Sequence, residues 1–364
     1  MENLLSIDLK REKSFLSNSF MDLFFIHSAF WIFPLFFIIA KMDIGYLRFG
    51  AAFVFIIIRI VHTYLSMYLC IGHPMYRPIA MKQKWRFFGL PGLIIGGITL
   101  FFIIPDSILP WDTRTRFQFY SFAVFPMTYW HYAAQHYGVL SIYRSRVGQK
   151  LSSRDVWMEK FFCQFSTGFL ITMLTLKNLY DVEFFGVSFK EMLLIDSVNW
   201  NEATGLVLIP LTIYMIIKEF QYEKPSILKL LYMVSMAMMV SVITVDSLLI
   251  SWVLIDMQHF MVVMALGGHM LSKSDARPNF YKKFGFLVLI SFAMSLVYYY
   301  FDAHGVRNKH YQTVLYWMPT HGEDFLQLFF YGLFIAIGIC HYYYDRLAFR
   351  FSDKDIREVA KKLI

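Results

Sequence analysis

Residues 248–271 read LLISWVLIDMQHFMVVMALGGHML, and this stretch decides the fold. As an α-helix rising about 1.5 Å per residue, it is long enough to cross the roughly 30 Å hydrocarbon core of a bilayer. One carboxylate, Asp256, interrupts it, three residues before His259. An ionisable side chain in hydrocarbon costs at least a few kcal/mol, so it persists where it faces a polar cavity or binds something. The pattern recurs in three more apolar stretches, each holding a deep histidine: His62 in 49–71, His131 in 117–143 and His341 in 325–345. Four imidazoles on four separate spans point to one interior site, and neutral imidazole is the commonest metal ligand in proteins.

The rest of the chain agrees. Of its 364 residues, 57% are hydrophobic and only 16% charged, against roughly a quarter charged in ordinary soluble domains. Apolar segments fall at 20–41, 49–71, 87–104, 117–143, 161–180, 205–218, 228–247, 248–271, 284–301 and 325–345. The expected fold is all-α: a polytopic bundle of about ten transmembrane helices, with a turn near Val245-Asp246-Ser247 and a short, tilted or re-entrant segment at 205–218. The expected organisation is an N-terminal tail over 1–19, a transmembrane domain over 20–345 and a basic tail over 346–364. The first apolar stretch follows Lys10, Arg11, Glu12 and Lys13 and is too long for the core of a cleaved signal peptide, so the first helix is expected to be retained.

Loop charge orients the bundle. The 73–86 loop carries Arg77, Lys82, Lys84 and Arg86 with no acid; the 144–160 and 272–283 loops are also basic, whereas 181–204 is acidic. Ten helices with both termini cytoplasmic place every basic segment inside and the acidic loop outside. The expectation is a multi-pass protein of the bacterial inner membrane or an equivalent bilayer. The net charge of +8 lies in these short loops, which argues against nucleic acid as a partner. Cys70, Cys163 and Cys340 form no CxxC pair and read as small packing residues.

In this topology the four histidines sit on helices that run inward. His62, His131 and His259 lie roughly 13–18 Å from the inner ends, with His341 shallower. His131 and Gln135 share a helix face, while His136 stands about 140° around from His131. His136 is therefore read either as a catalytic group or orienting neighbour of a ligand, or as part of a hydrated inner edge. Asp256 precedes His259 by three residues and Asp345 follows His341 by four, so each acid shares a face with a histidine. Such a carboxylate orients the ring and raises its basicity, or binds the metal itself; the plainer reading is an interhelical hydrogen bond. Arg59 shares a side with His62 and calls for an acid such as Asp256 or Asp22. His27 is a fifth candidate, His269 reads as interfacial, and His73, His304, His310 and His321 read as solvated loop residues.

These elements resemble the integral-membrane β-carotene-cleaving dioxygenases that form retinal, which carry histidines on four separated apolar helices, often with an acid one turn on. The counterparts here are His62, the His131–His136 cluster, His259, and His341 with Asp345. Ser66, His136 and Val263 stand where that pattern has an acid, an acid and a second histidine. The resemblance implies a non-haem Fe2+ oxygenase acting on a lipophilic carotenoid, polyene or other lipid drawn from the bilayer. His62, His131, His259 and His341 are then the metal ligands, and His136, Asp256 and Asp345 the supporting catalytic groups. A transporter or proton-linked carrier using Arg59, Asp256 and the histidines remains the alternative, as does a bis-histidine haem protein.

Overall fold

The computed structural model describes residues 19–41, 45–109, 111, 113–178, 183–184, 187–192, 195, 197–245, 248–274, 282, 285–286, 289, 293, 325–348 and 353–363. Most of the expected span at 284–301, together with Asp246, Ser247, His304, His310 and His321, lies outside the described residues. The described chain is helical apart from a two-residue antiparallel pair, Glu183–Phe184 with Val187–Ser188. Three helices among the described residues are long and apolar enough to cross a membrane: Trp85–Ile103, Trp200–Gln221 and Leu254–Ser272. The segment expected to be short at 205–218 is thus part of a 22-residue helix. Polar Asn201, Glu202 and Thr204 at its start and Lys218 and Glu219 at its end disguise its length in the sequence.

The chain divides into two compact units. The first, 1–42 with 123–265, begins with a π-helical turn, Asp22–Ile26, followed by α1 (Ala29–Lys41). The His27 amide reaches back five residues to the Asp22 carbonyl at 2.9 Å. That wider turn brings Asp22 and His27 to one side, where an α-helix would separate them by about 140°. Gln258 ties the break together, accepting from Ser28 Oγ at 2.6 Å and donating to the Ile26 carbonyl at 2.7 Å.

Several helix ends in this unit meet at a buried ion cluster. Lys229 pairs with Glu159, lies 2.7 Å from Glu219 Oε2, and donates to Gln149 Oε1 at 2.8 Å. Arg144 closes on Glu159 Oε2 at 2.6 Å. Two acids and two bases balance, and each has hydrogen-bonding partners, which is the condition under which buried ions are tolerated. Burial still pushes the Glu159 carboxyl up, against the opposing pull of Lys229 and Arg144. The turn before Gln149 uses Gly148 at φ +66°, a left-handed conformation suited to glycine at a helix end.

The second unit, 43–122 with 266–364, holds α2 (Gly45–Gly72), α3 (Arg77–Lys82), the π turn Trp85–Gly89 running into α4 (Leu90–Ile103), and the start of α5 (Thr113–Arg146). The end of α10 (Leu248–Ser274; α6 is Ser153–Cys163, α7 Ile171–Asn178, α8 Trp200–Gln221 and α9 Ile227–Val245), α11 (Phe325–Ala348) and α12 (Lys354–Leu363) complete it. Its core joins Leu65, Leu69 and Cys70 of α2 to Met270, Leu271, Cys340, Tyr344 and Leu347. Gly332 lets α11 approach α4 closely: a Cβ there lies 3.1 Å from the Thr99 Cα. Tyrosine hydroxyls satisfy carbonyls at helix ends, Tyr76 donating to Ala348 at 2.6 Å and Tyr344 to Phe87 at 2.7 Å. The three cysteines are buried and free, as expected for packing residues.

Candidate metal centre

α2 and α11 each present a histidine to the interior of the second unit, and both rings are fixed in the same way. His62 Nδ1 lies 2.7 Å from the Arg59 carbonyl, and His341 Nδ1 lies 2.5 Å from the Gly338 carbonyl. A carbonyl oxygen only accepts, so each Nδ1 carries the hydrogen and donates it. Neutral rings held in this tautomer turn bare Nε2 lone pairs outward. The two Nε2 atoms are 3.0 Å apart, with the rings at 80°. Two lone pairs at that distance repel unless a proton or a cation stands between them. A backbone bond on one nitrogen that frees the other is the usual arrangement of a metal-binding histidine.

Asp345 stands one turn beyond His341 on α11 and is 4% exposed, so the i,i+4 spacing delivers the acid to the same face. His62, His341 and Asp345 of this unit are all buried, and each offers a ligand atom within 4.8 Å of the others. This group can hold a metal ion. Two of the four expected histidine ligands belong to it, together with Asp345, expected as a supporting acid.

His131 and His259 both belong to the first unit, where the His131 ring packs edge-on against His259, 5.0 Å between centroids. Asp256 accepts from Tyr132 at 2.6 Å, and Tyr132 stacks on the His259 ring at 3.9 Å and 26°. The sequence places Tyr132 in the polar cluster Trp130-His131-Tyr132 without singling it out. Its position one residue after His131 and its phenol, needing a partner once buried, were the available signals.

His136 belongs to a different neighbourhood. Its Nδ1 lies 2.5 Å from Tyr232 Oη, and its side chain is buried. His27, the fifth candidate, lies 3.3 Å through Nε2 from Tyr143 Oη, whose hydroxyl donates to Asp22 at 3.0 Å. The acids considered for Arg59 accept from tyrosines, Asp22 from Tyr143 and Asp256 from Tyr132, and Arg59 itself is exposed. His73, expected to be solvated, is fully buried; its Nδ1 accepts from the Met75 amide at 3.2 Å and its ring meets Tyr76 edge-on. The local turn after α2 folds it inward, a feature that loop composition does not reveal.

The chain matches no protein-family model, no curated protein and no solved structure.

Proposed function

We propose that the protein is a multi-pass membrane enzyme that binds non-haem iron through His62, His341 and Asp345 of the second unit and oxidises or cleaves a lipophilic substrate. The observation that carries this reading is the His62–His341 pair, with both Nδ1 hydrogens committed to carbonyls and both Nε2 atoms facing each other at 3.0 Å. Mixed imidazole and carboxylate ligands would suit iron, which would supply open positions for oxygen.

Bound iron supplies oxygen activation. The chain's own residues prepare the site. The Arg59 and Gly338 carbonyls hold two rings in the metal-binding tautomer. Burial of His62, His341 and Asp345 favours an apolar substrate over a soluble one. The outward faces fit the bilayer: Leu206, Ile209, Ile213, Ile217 and Phe220 form an exposed apolar stripe along α8. The carrier reading draws no comparable support, because Asp22, Asp256 and the histidines sit in fixed hydrogen-bonded or stacked settings.

Metal analysis with a visible spectrum tests the proposal. Purified protein with stoichiometric iron and no Soret band supports it; a Soret band, or zinc in place of iron after iron-replete growth, overturns it.

A further inference from the structure

At one rim of the second unit, Arg86 pairs with Asp353 just before α12, and Arg357 follows one turn later on that helix. Arg86 Nη1 donates to Asp353 Oδ2 and lies 2.6 Å from it, and to Gln83 Oε1 at 2.8 Å. Asp353 in turn caps α12, its Oδ1 accepting from the Asp355 and Ile356 amides. One turn later comes Arg357, whose own amide donates to the Asp353 carbonyl at 2.9 Å. Arg86 Nη2 and Arg357 Nε are buried and have no acceptor among the described residues. A buried charged donor without an acceptor costs more than an ordinary lost hydrogen bond, so the arrangement calls for an anion.

Two further features specify that anion. Lys82, Lys84 and Lys354 are exposed nearby in sequence and add positive charge, set against the exposed acids Asp355 and Glu358 of α12. Trp85 is 69% exposed, and Phe88 and Leu93 continue an open apolar surface along α4. Tryptophan at a helix end beside basic residues is the signature of the headgroup level, with the acyl region beyond. A free phosphate answers the guanidinium groups alone, while a phospholipid answers both the charge and the apolar face.

We propose that Arg86 and Arg357 bind the phosphate of an anionic glycerophospholipid, whose acyl chain lies along Phe88 and Leu93. The site is separate from the metal ligands and does not depend on them. Delipidated full-length protein in detergent is titrated by native mass spectrometry with phosphatidylglycerol or phosphatidylcholine, with glycerol 3-phosphate and inorganic phosphate as soluble competitors. Phosphatidylglycerol is expected to be retained about tenfold better, and Arg86→Gln and Arg357→Gln each to remove about that preference, as loss of a charge-assisted hydrogen bond predicts. Arg357→Gln leaves the Arg86–Asp353 pair intact, so its effect is not a loss of helix docking. Equal retention of the two lipids, or an Arg357→Gln protein that binds like the parent, overturns the site. Displacement by inorganic phosphate at the lipid's own concentration overturns the lipid assignment in favour of a free anion.

Discussion

His62 and His341, 279 residues apart in the chain, point bare Nε2 atoms at each other across 3.0 Å. Each is locked in that pose by a carbonyl three residues before it on its own helix. The two helices thereby impose a repulsion that a cation relieves. Truncating either ring removes a ligand and leaves the other held only by its own helix carbonyl. His62→Ala and His341→Ala are each expected to leave less than about a tenth of the parent metal content, measured by elemental analysis, since ligand losses exceed the 10–100-fold typical of outer-shell changes. His304→Ala and His310→Ala are expected to retain it; equal metal in all four proteins refutes the ligand assignment.

His131→Ala separates ligand from neighbour. His131 contacts the His259 ring in the first unit and is not among the ligands proposed from the second, so the variant is expected to keep most of its metal. Metal content as low as that of His341→Ala would make His131 a ligand after all.

Tyr132→Phe tests the link from Asp256 to His259. It removes the 2.6 Å hydrogen bond to Asp256 and keeps the stacked ring. The expected result is unchanged metal affinity, because the proposed ligands belong to the second unit. Chelator competition measures it, and a fall of about tenfold, the lower end for losing an orienting partner, would bring Tyr132 into the site.

The buried ion cluster makes a claim about stability alone. Lys229→Met leaves Glu159 and Glu219 without their shared cation, which is expected to cost about 3–5 kcal/mol. Thermal unfolding in detergent at fixed scan rate should show a large drop in apparent Tm. A drop no larger than that of an exposed substitution such as Lys150→Met shows the cluster to be energetically idle.

Asp353 sets a pH dependence. The Arg86 hydrogen bond holds its carboxyl below the usual carboxylate range. For a depressed acid, the stabilisation is fully present above the unfolded-state value, about 3.9, and disappears as pH falls through the lower folded value. Docking of α12 is therefore expected to be constant above about pH 5 and to weaken only in stronger acid. Limited proteolysis with an acid-tolerant protease reads this directly. Arg86→Gln should move the loss of protection to higher pH; an unmoved profile contradicts the pairing.

Much of this was legible in the chain. Deep histidines in long apolar stretches named His62 and His341, and the i,i+4 spacing put Asp345 beside His341. What periodicity could not supply was rotation. Which of the four histidines come together depends on helix phase and approach, which no spacing within one helix determines. The π turn at Asp22–Ile26 breaks the 3.6-residue count, so Asp22 and His27 share a side that helical arithmetic denies them. Lys229 and Glu159 read as separate loop-edge charges, because their pairing joins helices 70 residues apart. Tyr132 was hidden by abundance: in a chain with 19% aromatics, one tyrosine beside a histidine carries little weight.

The most direct test of the central claim is the iron content of the intact, detergent-purified protein, measured by mass spectrometric elemental analysis alongside its visible spectrum. About one iron per chain without a Soret band is the predicted result, as an imidazole–carboxylate centre requires. Folded protein that carries no stoichiometric metal after iron-replete expression and reconstitution contradicts it.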